Sequence, residues 1–466
     1  LLAIPAVFGA DIVITSKVLS FLGYLAVIVG VFRLIRLLVP ASARLVPAMG
    51  AVMAAAATPL GYWGMIGMEM TLYLALLLAA LHAYLSSVLR GERGRAWCLI
   101  FAVLALTRPE GFAFFGLLVG LDAARELWVT RQPVATLRRV GFHLGWFAVI
   151  FGPFLLFRLA YFGELLPNTV AAKSGFSAHL KAMPIMKALG ILWEGRGVEN
   201  TVEFTTRLFG YVGILTLPAF LVRSTRYANL TLWAVSSGVV AVCIWNRGGW
   251  MAHYRLMLPM LPLVIISICL GLSACVRLCR DHTAAQRVAS IACLAVMALS
   301  AHQLYYNHEP SKHSKGAVYL NDLGAAVGAH ADPDDLMAAD MAGRIPFYAK
   351  VRTIDTFGLC DRHIAHHGTG RSRMGKTDWP YVFSKRPTFY YYNFGSGVRD
   401  MYKHAAFRDQ RKDYWLVTTP HYRRVRYRSK KMLLIRKDWP HLDAFAAAMD
   451  VTYVEPVKEL KRLRVW

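Results

Sequence analysis

Three acidic residues sit in tight motifs rich in Gly and Pro. They are Glu69 in GMIGMEM (64–70), Glu110 in LTRPEG (106–111) and Glu164 in GELLPNTVAAK (163–173). Cations accompany them: Arg108 and Lys173 in the same motifs, Arg247 and Arg255 in NRGGWMAHYR (246–255), and Arg362 in IDTFGLCDR (354–362). Acid and cation together suit displacement of a phosphate from carbon. A carboxylate takes the proton of an attacking hydroxyl, and positive donors stabilise the charge that develops on the departing phosphate. Arg108, Lys173, Arg247 and Arg255 are the candidate phosphate ligands. Asn168 and His253 are candidate hydrogen-bonding partners, and Trp63, Trp245 and Trp250 can stack on a sugar ring. Plainer roles stand beside these. Acids also cap helix ends, Trp also forms belts at membrane interfaces, and Asp355, Asp361 and Arg362 also suit a structural turn.

Such residues need elements to hold them. The chain is 56% hydrophobic and only 17% charged, against about 25% charged in a typical soluble chain. Its apolar residues come in blocks near the length that crosses a bilayer. The expected spans are 16–32, 45–60, 69–88, 96–107, 111–124, 141–161, 206–222, 228–245, 255–275 and 286–304. The apolar blocks then stop. The reading is a polytopic α-helical membrane domain over 1–304, about ten helices, followed by a soluble α/β domain over 305–466. In that second domain, strands are expected at 336–339, 351–356, 388–392, 415–419 and 432–435, and helices at 318–329 and 343–348.

Alternate loops are rich in Arg: Arg33, Arg36 and Arg44; Arg90, Arg93 and Arg95; Arg125, Arg131, Arg138 and Arg139; Arg223 and Arg226; Arg277, Arg280 and Arg287. The positive-inside rule makes these loops cytoplasmic. All five polar motifs and the C-terminal domain then face outward. Ionisable residues close to a membrane are costly and mark functional sites by default. The formal net charge is +25. The basic run 421–431, on that outer face, suits anionic lipid headgroups or lipid-linked phosphates rather than nucleic acid. Six of the seven Cys lie in or beside apolar spans and only Cys360 lies in the second domain, so that domain has no internal disulfide. No Cys/His spacing suggests zinc.

In order along the chain, GMEMTLYLALLLAAL, LTRPEG, YFGELLPNTVAAKSG, GGWMAHYRLMLPMLP and IDTFGLCDRHIA resemble the motifs of GT-C class polyprenyl-phosphate-sugar glycosyltransferases. Among these the pattern is nearest to terminal arabinofuranosyltransferases and their proteobacterial homologues, some of them labelled flagellar motor control proteins. The resemblance implies a bacterial inner-membrane enzyme. It would take a sugar, arabinofuranose in those relatives, from a polyprenyl-phosphate donor and pass it to a cell-envelope glycan or glycolipid on the outer face. It also implies that Asp355, Asp361 and Arg362 shape the acceptor end, and it admits a divalent metal, for which the sequence shows no closed ligand set.

Two departures bear on the chemistry. Relatives place the general base in an outer loop between their first and second membrane helices. Residues 1–15 match the end of that loop, so the resemblance puts the principal base ahead of Leu1 and leaves Glu69, Glu110 and Glu164 as the acids at hand. Relatives also carry GGDWM where this chain reads Gly248-Gly249-Trp250-Met251, so either His253 or Arg255 takes over part of the missing Asp's role or this branch uses a different acceptor. Two other classes remain: a transporter or flippase of lipid-linked sugars, and a non-catalytic scaffold of the envelope or motility apparatus.

Overall fold

The computed structural model describes residues 2–173, 184–246, 248, 251, 253–278, 314–340, 343–371, 375–392, 401, 404–418 and 432–454. It divides into two compact units, one of Leu1–Gly163 with Met186–Glu309, the other of Glu164–Ile185 with Pro310–Trp466.

The first unit is helical. Its elements are α1 (Ile12–Leu38), α2 (Leu45–Ala56), α3 (Thr58–Met65), α4 (Met70–Arg90), α5 (Arg95–Thr107), α6 (Glu110–Thr130), α7 (Pro133–Phe162), α8 (Arg196–Leu208), a 3-10 helix over Gly210–Phe220, α9 (Arg223–Trp245) and α10 (Met260–Leu278). Asp11 caps α1, accepting hydrogen bonds from the backbone N–H of Val13 and Ile14 at 2.7 and 2.9 Å. Helix α10 is the hub: Met260 through Ala274 are all buried. Helix α7 is its opposite, with Leu144, Val149, Leu156 and Phe157 all more than half exposed. That apolar surface requires lipid around it.

Among the described residues five helices are long and apolar enough to cross a membrane: α1, α4, α7, α9 and α10. The α2–α3 pair makes a sixth if its 59° bend lies within one span. Ten spans were expected, and the differences have local causes. The block at 45–60 breaks at Ala57, where Pro59 opens a new helix, because Pro suits a first turn and not a helix interior. At 13 residues α5 is about 20 Å long, short of a hydrocarbon core of about 30 Å. Helix α6 carries Asp122, Arg125 and Glu126. The block at 206–222 is split between α8 and the 3-10 helix. The block at 286–304 lies outside the described residues.

Below the lipid-facing shell, α6 and α7 are joined by a buried polar clamp. Arg139 donates from Nε and Nη2 to the two oxygens of Asp122, at 2.6 and 3.1 Å. His143 Nε2 meets Asp122 at 3.0 Å, and its Nδ1 lies 3.5 Å from Cys98 Sγ on α5. Arg139 was expected in a loop. It is a helix residue, because α7 begins at Pro133 rather than at 141.

The second unit is α/β. Its six-stranded sheet has the order β2-β1-β5-β7-β6-β8, built from β1 (Leu336–Ala339), β2 (Arg352–Asp355), β5 (Phe389–Tyr392), β6 (Tyr414–Thr418), β7 (Met432–Arg436) and β8 (Thr452–Val454). The pairs β1–β2 and β1–β5 are parallel and the others antiparallel. Two-residue strands β3 (Gly370–Arg371) and β4 (Lys376–Thr377) form a separate hairpin. Side chains alternate across the sheet. Ala338, Tyr390, Tyr392, Leu416 and Leu434 enter one core, and Met337, Phe389, Tyr391, Val417 and Leu433 the other. Burial on both faces explains why Phe389–Tyr392 is apolar or aromatic at every position.

Candidate active site

Four charged side chains from three distant stretches meet at one end of the helical unit. Glu69 ends the turn before α4, Arg108 lies in the break between α5 and α6, Glu110 opens α6, and Arg255 precedes α10. Glu69 Oε1 accepts from Arg255 Nη2 at 2.6 Å and from Arg108 Nη1 at 2.9 Å. Arg108 also grips Glu110 with two hydrogen bonds, Nη2 to Oε1 at 2.8 Å and Nε to Oε2 at 3.3 Å. Charges thus alternate along Arg255, Glu69, Arg108 and Glu110. All four are partly buried, Arg108 most deeply at 13% side-chain exposure.

Local sequence explains the meeting. Pro109 ends α5 and starts α6, turning the chain so that Arg108 and Glu110 share one edge. Gly111 is required because a Cβ there would stand 2.8 Å from the backbone N of Ala105. Arg255 follows two residues in the left-handed region, His253 and Tyr254, each with φ of 52°. Such backbone is strained for side chains larger than Gly and concentrates at functional sites. Aromatic rings flank the cations: Arg255 Cζ lies 5.9 Å from the Trp63 ring centroid and Arg108 Cζ 5.7 Å from that of Tyr73. Trp63 Nε1 donates to the His253 carbonyl at 3.2 Å, and the His253 ring lies 4.0 Å from that of Tyr62.

Burial on its own would raise the Glu69 carboxyl. The charge and hydrogen bond of Arg255, with the charge of Arg108, outweigh it and hold Glu69 below the ordinary carboxylate value. In this arrangement Glu69 is a counter-ion. Arg255 Nε is buried and, among the described residues, has no hydrogen-bond partner. An anion with several oxygens could occupy the place of one carboxylate and use that spare donor.

Other expected site residues belong to the second unit or lie outside the described residues. Glu164, Asn168 and Lys173 belong to the second unit. Glu164 accepts from Arg362 Nε at 3.1 Å and pairs with His366 Nε2 at 3.1 Å. Asp355 and Asp361 organise their own motif. Asp355 accepts from the N–H of Phe357 at 3.1 Å and of Cys360 at 2.7 Å. Asp361 caps the helix Arg362–His367 through Ile364 N–H at 2.9 Å. Gly358 completes the turn with φ of +69°. Burial raises the Asp355 carboxyl above its ordinary value, against the opposing pull of those backbone donors. Arg247, Trp250 and the run 421–431 lie outside the described residues. Among the described residues no three His, Cys, Asp or Glu side chains converge as a metal ligand set.

Sequence reasoning did not single out the clamp of Asp122, Arg139 and His143. Its signal was present. Arg139 and His143 are four apart on one helix face, and Asp122 interrupts an apolar block.

Comparison with solved structures covers nearly the whole chain. ArnT from Cupriavidus metallidurans, bound to undecaprenyl phosphate, matches with a TM-score of 0.53 at 12% identity, over 90% of this chain and 83% of that one. The apo state of the same protein matches equally. The fold is that of GT-C glycosyltransferases. A fainter likeness, with a TM-score of 0.45 at 12% identity, links 87% of the chain to 62% of the archaeal oligosaccharyltransferase AglB from Archaeoglobus fulgidus, in complex with an inhibitory peptide and a dolichol-phosphate. Residues 305–454 match the family model of a domain of unknown function, DUF8728. No curated protein matches the chain by sequence. Within this fold the four-charge cluster lies at the ends of helices.

Proposed function

We propose that the chain is a membrane glycosyltransferase that takes a sugar from a polyprenyl-phosphate donor. The observation that carries this reading is the convergence of Arg108 and Arg255 on a single carboxylate, within a GT-C fold. A lipid-linked phosphate carries several anionic oxygens and suits two guanidiniums better than one carboxylate does. The donor phosphate takes Glu69's place between them, with Arg255 Nε as an additional donor. Glu110 keeps its two bonds to Arg108 and fixes that guanidinium's orientation.

The reaction follows from this exchange. The acceptor hydroxyl oxygen attacks the anomeric carbon, the carbon–oxygen bond to phosphate breaks, and the lipid phosphate leaves with the bonding pair. Glu69, released from the guanidiniums, is free to take the hydroxyl proton, the role that the motif resemblance gives to an acid ahead of Leu1. Donor binding thereby turns a counter-ion into a base. The motif resemblance offers Lys173 and Arg247 as further phosphate ligands and Asn168, His253 and Trp250 as sugar contacts. It gives arabinofuranose as the sugar, an envelope glycan or glycolipid as the acceptor, and the outer face of a bacterial inner membrane as the place. The resemblance assigns acceptor binding to Asp355, Asp361 and Arg362, which form one turn and one helix cap within the second unit.

The test is sugar transfer in proteoliposomes from a panel of synthetic polyprenyl-phosphate sugars. Wild type is expected to transfer at least one sugar. Arg255→Lys keeps the charge but loses the fork, and is expected to lose roughly 30- to 1000-fold in rate, the effect of about 2–4 kcal/mol at the transition state. Translocation of the lipid-linked sugar without transfer would establish a flippase instead. Neither transfer nor translocation would favour a scaffold.

A further inference from the structure

The end of the helical unit away from Glu69 holds a cavity open to solvent, about 400 Å³, whose three arginines are exposed. It lies between the link from α4 to α5 and the two-residue turn from α6 to α7. Arg93, Arg131 and Arg138 line it together with Gln132, Pro133 and Val134. No acidic residue is in the lining, and among the described residues none of the three arginines forms an ion pair. The acids nearby in sequence are engaged elsewhere, Glu92 with Arg90 at 3.4 Å and Glu126 with Arg139 at 3.8 Å. Arg131 sits in the left-handed region with φ of 56°, which fixes the tight turn that brings it beside Arg138. Helix α7 starts at this cavity, and its first turn has no side-chain cap. Its N–H groups and dipole add to the positive field.

Exposed apolar side chains flank the lining residues in sequence. Trp128, Val129, Val134 and Leu137 are 86%, 67%, 62% and 69% exposed. An exposed Trp beside exposed aliphatic side chains marks the boundary between headgroups and hydrocarbon. We propose that this cavity binds the phosphate of an anionic glycerophospholipid, its headgroup held by Arg93, Arg131 and Arg138 and its acyl chains lying along Val129, Val134 and Leu137. The volume falls within the range of small-ligand sites and is far larger than a single ion needs. Three guanidiniums without acids select for an anionic headgroup over a zwitterionic one. The apolar rim distinguishes a lipid from a free phosphate.

Native mass spectrometry of the delipidated full chain tests this, with phosphatidylglycerol, phosphatidylcholine and inorganic pyrophosphate offered separately. Phosphatidylglycerol is expected to be retained and to raise the melting temperature, and phosphatidylcholine to do neither. The triple variant R93Q/R131Q/R138Q is expected to lose about fivefold in affinity per guanidinium, roughly a hundredfold in all. A second triple, R33Q/R44Q/R223Q, removes the same charge from other basic positions and is expected to retain the lipid. Equal loss in both triples would show diffuse attraction and overturn the site. So would wild-type retention by R93Q/R131Q/R138Q. Pyrophosphate binding as tightly as the lipid would overturn the lipid assignment. The single variant R138Q, expected to weaken binding about fivefold, carries the test should the triple fail to fold.

Discussion

Glu69 is the residue on which the chemistry turns. Arg255 and Arg108 hold its carboxylate, so a phosphate entering between them must displace it. Glu69→Gln removes that competitor and, among the described residues, leaves Arg255 without an acid partner, while Arg108 keeps Glu110. Affinity for polyprenyl phosphate is expected to rise, by about tenfold for one charged hydrogen bond no longer displaced, while sugar transfer falls by a hundredfold or more as the base is lost. A fall in both affinity and rate would instead make Glu69 a direct ligand of the donor. The same carboxyl sets an acid dependence. Its pKa is lowered in the fold, so its contribution to stability is present above the unfolded value of about 4.3 and is lost as pH falls through the folded value. The melting temperature of wild type should therefore drop toward that of Glu69→Gln below about pH 4.3, and a gap that widened on acidification would contradict the assignment. Glu69, Arg108, Glu110 and Arg255 could each be picked from the sequence as charges in helix-breaking motifs. Their mutual pairing could not, because 186 residues separate Glu69 from Arg255 and only packing of the helices closes that gap.

At the scale of elements, the buried clamp of Asp122, Arg139 and His143 ties α6 to α7, which exposes Leu144, Val149, Leu156 and Phe157. Arg139→Gln leaves a buried carboxylate without its cation and is expected to cost about 3–5 kcal/mol, read as a fall in melting temperature. Adding Asp122→Asn should recover much of that loss, since both charges are then gone. An unchanged melting temperature in the single variant would show that the pair contributes little. The elements differ in how far their residues disclosed them. Strands β1, β2, β5, β6 and β7 stand within a residue of their expected positions, because short runs bounded by turn signals have little room to shift. Strand β8 has only Thr452, Tyr453 and Val454 and gave no periodic signal. The helical unit was read well wherever a long apolar block formed one helix, as in α1, α4, α9 and α10. It was misread at 206–222, where hydropathy alone does not separate a span from a helix end joined to a 3-10 segment. At 2.0 Å per residue, the 11 residues Gly210–Phe220 reach about 22 Å, against about 16 Å as an α-helix. The motif IDTFGLCDR was legible as polar and specific. The structure gives Asp355, Gly358 and Asp361 local duties in one turn and one helix cap.

For the whole molecule, sugar transfer on the outer face requires the cluster of Glu69, Arg108, Glu110 and Arg255 to open there, with the Arg-rich helix ends inside. Single cysteines at Glu194 and Gln132, both exposed, test this in a Cys-free background. An impermeant maleimide should label Glu194→Cys in intact spheroplasts and should label Gln132→Cys only after lysis. The reverse pattern would invert the topology and place the cluster inside. The most direct measurement of the central claim is the dissociation constant for undecaprenyl phosphate, taken in nanodiscs on the full-length protein and on Arg255→Lys. Wild type is expected to bind, and the lysine variant to bind roughly 10- to 150-fold more weakly, the effect of losing a charged hydrogen bond of about 1.5–3 kcal/mol. Equal affinity in the two folded proteins, or no binding by wild type, would contradict the assignment of Arg108 and Arg255 as the donor-phosphate site.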